Sequence, residues 1–143
     1  MKIAVSFLLF ISTLLGFSQA KELSELIKKS INEIDVETSI NRIAKSSGKY
    51  SNGDIFKLTA TFKIDKGDGS IKDILISSSL PATENIIKSA INNVSVPKPL
   101  LDALKESFTE LKFTLPIRYQ VKKESQIIKN YKKKYRKEKR KNK

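Results

Sequence analysis

The sequence predicts an α+β domain in which N-terminal helices cover one face of a three-stranded antiparallel sheet, built in the order strand, strand, helix, strand. Three observations support this fold class. Apolar residues recur at helical spacing through residues 22–46. They then alternate with polar residues along residues 56–64 and 109–121, which is typical of half-buried strands. Residues 82–94 return to helical spacing between the second and third strands.

The N-terminal helical region begins with residues 22–34, where the apolar side chains form a single stripe. Residues 36–46 repeat the pattern, and Asp35 either caps a second helix or lies within one continuous helix. Gly48 is suited to end this region, because glycine readily adopts the left-handed conformation that follows a helix. Residues 46–54, which are rich in Ser, Asn and Gly, are predicted to form a loop.

The first two strands form a predicted hairpin. Residues 56–64 alternate strictly, and residues 65–70 (DKGDGS) provide a turn in which glycine can supply a positive φ. Residues 71–79 form the second strand. Within it, Ile71 and Leu75 fall out of phase with the other apolar residues, which a β-bulge would explain.

A helix and a third strand follow the hairpin. Ser79 is placed to cap the helix of residues 82–94, and Pro81 lies in its first turn, where no amide hydrogen is needed. Residues 100–106 are predicted to form a short helical turn, and residues 109–121 are the clearest strand of the chain.

The order of these elements predicts the topology of the sheet. The hairpin is antiparallel, and the helix after it returns the chain to the far end of the sheet. The third strand then runs parallel to the second, and the simplest arrangement places the first strand between them.

Residues 1–20 have the pattern of a secretory signal peptide. Lys2 precedes a mainly apolar run, and Ser18 and Ala20 place small residues before a predicted cut at Lys21. The run is shorter than the roughly 20 apolar residues that span a membrane, so we expect a periplasmic or secreted protein. An uncleaved membrane anchor is the alternative interpretation.

The mature chain is predicted to have three parts. Residues 21–54 form the helical segment and loop, residues 55–121 form the sheet-containing domain, and residues 122–143 form a basic tail. Of the formal net charge of +13, the tail carries +10 and residues 21–121 only +2. Because so dense a charge resists folding, the tail is predicted to be a disordered extension.

The tail has a second interpretation. It could be a basic helix with a thin apolar edge at Ile127, Tyr131 and Tyr135, lying on anionic lipid, lipopolysaccharide or acidic glycan. The domain would then serve only as a scaffold for the tail. The candidate polyanion-binding residues are Lys129, Lys132, Lys133, Lys134, Arg136, Lys137, Lys139, Arg140 and Lys141.

The composition argues against catalysis. The chain contains no Cys, His or Trp, which removes disulfides, Cys/His zinc sites, Cys nucleophiles and His-based triads. The turn at residues 65–73 does not fit a calcium loop, because Gly67 and Ile76 stand where ligands three and twelve would lie. We therefore expect no catalytic residue, metal, cofactor or small-molecule substrate.

Two segments carry a resemblance to a known family. Residues 58–79 read LTATFKIDKGDGSIKDILISSS and residues 113–121 read FTLPIRYQV, separated by a helix that opens near Thr83 and Glu84 and by a Pro-containing linker. Residues 55–121 as a whole resemble the C-terminal domain of the TonB energy transducers, in particular the divergent forms of Bacteroidota envelope proteins. The resemblance implies a non-catalytic module that captures a peptide segment of an envelope or outer-membrane protein, such as a TonB-dependent receptor, by strand addition.

The proline in the third strand predicts where such a segment would bind. Pro116 has no amide hydrogen, and a mid-strand proline is tolerated where its nitrogen points away from the neighbouring strand. Residues 109–121 should therefore form an edge strand, which either accepts an added peptide or is merely blunted against aggregation by Pro116. The residues with outward backbone groups are predicted to be Thr114, Pro116, Arg118 and Gln120, whereas Phe113, Leu115 and Ile117 bond inward.

Overall fold

A computed structural model describes residues 14–142 of the protein. The helices and strands are α1 (Leu14–Ile31), α2 (Ile34–Ser46), β1 (Ile55–Ile64), β2 (Ile71–Ser78), a 3₁₀ turn (Pro81–Thr83), α3 (Glu84–Asn92), α4 (Lys98–Ser107), β3 (Lys112–Gln120) and α5 (Glu124–Lys141).

The sheet has the predicted topology. Its strand order is β2-β1-β3, and both outer strands run antiparallel to β1. The helices pack against one face, so the predicted α+β class is confirmed. The core lies between this face and the helices, because every second residue of β1, from Phe56 to Ile64, points into it and is buried.

The second strand contains the β-bulge that its irregular pattern indicated. Its register with β1 shifts between Thr61 and Lys63, and Asp73 in the bulge has a φ of 52°. The extra residue lets Ile71 and Ile74, three positions apart, both point into the core.

The hairpin turn is stabilised by one carboxylate. Oδ1 of Asp65 accepts hydrogen bonds from the amides of Gly67 and Asp68, and Oδ2 accepts one from Lys72 Nζ at 2.9 Å. The Lys72 hydrogen bond, followed by the two amide bonds, holds the pKa of Asp65 well below its usual range. The Asp65 carboxylate, the first position of the turn that was compared with a calcium loop, is thus engaged in hydrogen bonds within the hairpin.

The helix boundaries differ from the predicted ones at several caps. Asp35 lies in the first turn of α2, after a break that separates α1 from α2, and no side chain caps that helix. Ser79 does not cap α3, because its hydroxyl donates to the carbonyl of Lys57 across the sheet. The predicted turn at residues 100–106 is a longer helix, since Pro99 fits its first turn without needing an amide hydrogen.

The N-terminal helix crosses the predicted signal-peptide cut. Residues 14–20 continue into α1 without a break, and the carboxamide oxygen of Gln19 accepts a hydrogen bond from the Ser107 hydroxyl at 2.6 Å. Residues 1–13, which hold most of the predicted signal peptide, lie outside the described residues. Among the helices that the structure describes, none is long and apolar enough to cross a membrane.

A buried polar network joins α2 to the end of β3. The side-chain amide of Asn41 donates to the Tyr119 hydroxyl at 2.7 Å, and its oxygen accepts the backbone amide of Lys122 at 2.6 Å. Lys122 Nζ forms an ion pair with the buried carboxylate of Glu37 at 2.6 Å. Burial, followed by the nearby charge of Glu37, raises the pKa of Tyr119 far above its ordinary value, so the phenol stays protonated.

The residues after β3 form a helix, so the prediction of a disordered tail over residues 122–143 is wrong for Glu124–Lys141. Lys and Arg are good helix formers, and Ile127 anchors the first turn of α5 in the core with 2% of its surface exposed. Glu124 also forms an exposed ion pair with Arg42 of α2 at 2.8 Å. Lys122 and Ile127 therefore belong to the folded domain, and Tyr131 and Lys134 further along α5 still border a cleft shared with α1.

The network around Asn41 should contribute substantially to stability. Asn41→Ala leaves the buried Tyr119 hydroxyl and the Lys122 amide with fewer partners, so we expect a loss of about 2 kcal/mol in the free energy of unfolding. Denaturant unfolding followed by circular dichroism measures this. Asn92→Ala, at an exposed position of α3, is the control and should change the value by less than about 0.5 kcal/mol. Equal effects of the two substitutions would show that the network is not stabilising.

Candidate peptide-binding edge

The third strand lies at an edge of the sheet, as Pro116 predicted. Two hydrogen bonds at its ends fix which of its residues bond to β1. The Ile64 amide donates to Leu111 O and the Val121 amide donates to Asp54 O, each at 2.8 Å. Both pairs lie in the continuous register of the β1 and β3 pairing, so the odd-numbered residues of β3 are the hydrogen-bonded ones.

The even-numbered residues of β3 therefore direct their backbone groups to the open side. Thr114, Arg118 and Gln120 each present an amide and a carbonyl there, and Pro116 presents a carbonyl alone. Within residues 14–142, none of these three amides meets a backbone partner. The edge position of β3 and the directions of its amides therefore agree with the prediction from Pro116. The role of these residues in binding stays a prediction.

The opposite edge of the sheet, formed by β2, is less available. Its ladder is interrupted by the bulge at Asp73, and the Ser78 amide is bonded to a Glu84 carboxylate oxygen at 3.2 Å. Its first residues are covered by a second pairing, in which Ser70 bridges Ser95. An added strand would find a long continuous row of free backbone groups only along β3.

A groove runs beside the open edge of β3, between it and α1. At one end, Lys28 and Ile31 of α1 and the following Asn32 face residues 116–119 across a cleft of about 320 Å³. At the other end a smaller cleft of about 70 Å³ lies between α1 and residues 113–115. The α1 side of this groove was not predicted from the sequence. Helical periodicity predicts which face of a helix is buried, but it does not predict which strand lies beside that helix.

The second candidate surface is the projecting part of α5. Ile128, Tyr131 and Tyr135 are 42%, 46% and 58% exposed and follow one another at helical spacing. The apolar edge proposed from the sequence was therefore wrong at Ile127, which is buried, and Ile128 takes its place. All nine candidate basic residues lie on α5 and are exposed, and six of them share one face of the helix with Ile128.

The carboxylates of the described residues form no cluster. No group of three or more acidic side chains lies close enough together within residues 14–142 to hold a metal ion. The buried carboxylate of Glu37 is paired with Lys122, and the Asp65 carboxylate is used by its turn.

Comparisons with known proteins do not assign the chain to a family: no family model, curated protein or solved structure matches it. The resemblance to the C-terminal domain of the TonB transducers therefore rests on the residues quoted above and stays a prediction.

Two proline substitutions test the direction of the β3 amides. Arg118→Pro removes an amide that points to the open side, so the protein should remain folded. Ile117→Pro removes an amide bonded to β1 at Leu58 and should cost at least about 3 kcal/mol, enough to unfold a marginal domain. Thermal unfolding followed by circular dichroism compares them, with Arg118→Ala as the control for the lost charge. If Arg118→Pro unfolds the protein as severely as Ile117→Pro, the assignment of outward amides is wrong.

Proposed function

We propose that the protein is a non-catalytic binding module that captures an extended peptide segment of an envelope protein by adding it as a fourth strand to β3. The observation that carries this proposal is the row of free backbone groups at Thr114, Arg118 and Gln120 beside the α1 groove. Strand addition gains affinity from main-chain hydrogen bonds and specificity from the alternate side chains of the added segment.

The outward backbone groups of β3 can form most of the hydrogen bonds that pairing with an added strand requires. Between Thr114 and Gln120, three amides and four carbonyls point outward, so only the donor at Pro116 is missing. One missing bond among eight reduces affinity without preventing pairing, since each hydrogen bond contributes about 1 kcal/mol net. The side chains of the added strand would point alternately over the open face of the sheet and into the groove beside α1.

Capture from an envelope extract tests this proposal. The purified protein is immobilised and exposed to an envelope extract of its host, and the Arg118→Ala and Arg118→Pro variants are treated in the same way. We expect Arg118→Pro to lose capture well beyond Arg118→Ala, because it removes a main-chain donor in addition to the charge.

Hydrogen exchange of the complex then locates the contact. The amides of Thr114, Arg118 and Gln120 should exchange at least about tenfold more slowly with the captured protein bound, whereas the exchange of β2 should not change. Undiminished capture by Arg118→Pro would show that this edge is not the binding site.

A second function is favoured by the exposed stripe on α5. A helix with Ile128, Tyr131 and Tyr135 along one side and basic residues around it suits the interface of an anionic membrane. Lipopolysaccharide and acidic glycans offer the same charge. The two candidate surfaces are neighbours, because Tyr131 and Lys134 of α5 share a cleft with Lys28 and Asn32, which also line the groove beside β3.

Binding of α5 to an anionic surface should depend on salt. Each basic residue near an anionic bilayer contributes about 1 kcal/mol, so replacing Lys132, Lys133 and Arg136 by Gln should weaken binding to phosphatidylserine vesicles more than about tenfold. Vesicle sedimentation measures this at low and high salt. The truncated protein ending at Asn130, which keeps Lys122 and Ile127, is a second variant that should lose binding. Binding that ignores both salt and the truncation would contradict this function.

A further inference from the structure

Between β1 and β3, the open face of the sheet sets two pairs of like charges against each other. A third pair, Lys63 opposite Lys72 of β2, is relieved by the ion pair of Lys72 with Asp65. Lys57 of β1 lies directly opposite Arg118 of β3, and Lys63 lies opposite Lys112. All four side chains are exposed, on the face away from the helices. Both are non-hydrogen-bonded pairs, in which side chains approach closely, and like charges so placed destabilise a sheet.

Within residues 14–142, a nearby carboxylate offsets the repulsion between Lys63 and Lys112 only weakly, and no ion pair offsets the repulsion between Lys57 and Arg118. Lys63 lies 3.9 Å from the Asp73 carboxylate, the longest ion pair of the described residues. Neither Lys57 nor Arg118 forms an ion pair within residues 14–142. Between the two cationic pairs the face carries only uncharged residues, Thr59 and Thr61 opposite Pro116 and Thr114. An unpaired cationic pair at the binding edge indicates that its counter-charge comes from a partner.

The strand geometry fixes where that counter-charge must lie. Arg118 and Lys112 are both even-numbered residues of β3, so their side chains lie on the open face, six positions apart. A strand added to β3 places one residue beside Arg118 and another, six residues along, beside Lys112. The residues of the added strand that alternate with these point into the groove, whose end between α1 and residues 113–115 is lined mainly by apolar side chains, including the half-buried Leu115.

We propose that the segment captured by β3 is acidic, with carboxylates six residues apart that lie beside Arg118 and Lys112 and with apolar residues at the alternate, groove-facing positions. This inference rests on the proposed strand addition and names the class of peptide that it selects. The carboxylate beside Arg118 would also offset part of the charge of Lys57, which lies one strand further away on β1. Single-stranded nucleic acid fits this face less well, because its strands present no aromatic side chain on which a base could stack.

Synthetic peptides test the inference. The probe alternates valine and threonine, with glutamate replacing two threonines that are six residues apart, and the matched peptide has glutamine at the same two positions. We expect the glutamate peptide to bind the purified protein about tenfold more tightly by calorimetry, since each opposite-charge cross-strand pair contributes about threefold.

Three variants of the protein locate the effect. Arg118→Gln and Lys112→Gln should each reduce the preference for glutamate by about threefold, because each removes one directly adjacent opposite-charge pair. Lys88→Gln removes the same charge from an exposed position of α3 and should leave the preference unchanged. This control separates the local pairs from attraction to the high net charge of the whole protein.

The outcomes distinguish the inference from the proposed function. If Arg118→Pro loses binding of the glutamine peptide and Arg118→Gln does not, strand addition is supported, whatever the effect of charge. Equal affinities of the two peptides, or a preference for glutamate that is undiminished in Arg118→Gln, would overturn the acidic segment and leave strand addition standing. If Arg118→Pro binds the glutamine peptide as well as Arg118→Gln does, strand addition fails and the acidic segment fails with it.

Discussion

The backbone of β1 is the constraint on which the rest of the structure depends. As the central strand, it is paired on both sides, to β3 through its even-numbered residues and to β2 through its odd-numbered ones. The same parity places Phe56, Phe62 and the other even-numbered side chains in the core. Because the register to β3 is continuous, this one choice of parity determines that Pro116 and its even-numbered neighbours face outward.

The polar network at the end of β3 keeps that register in place. Tyr119 belongs to the buried face of the strand, and its hydroxyl reaches Asn41 of α2 inside the domain. A slip of one residue would bring Gln120 to this position and leave Asn41 without its partner, at the cost of an unsatisfied buried amide. The same Asn41 holds the Lys122 amide, so the network also sets the direction in which α5 leaves the domain.

The sequence was sufficient to predict the sheet but not the surroundings of its edge. Alternation along β1 and β3 depends only on burial of one face, and Pro116 carries a local backbone requirement, so both could be read from the chain. The groove depends on where α1 packs, which involves Lys28 and Ile117, 89 positions apart in the chain. The start of α5 was also mispredicted, because local charge outweighed the single buried contact of Ile127 in the sequence pattern.

An open edge invites pairing with a second copy of itself, and β3 carries features that oppose this. Two β3 edges can pair antiparallel only through their even-numbered residues. In one symmetric register Arg118 of each copy lies opposite Lys112 of the other, which repeats the repulsion between like charges. In the next symmetric register the two Pro116 residues face each other, and neither can donate a hydrogen bond. In these two registers Arg118, Lys112 and Pro116 therefore act against pairing of β3 with a second copy of itself, which is the kind of protection that an exposed edge strand requires.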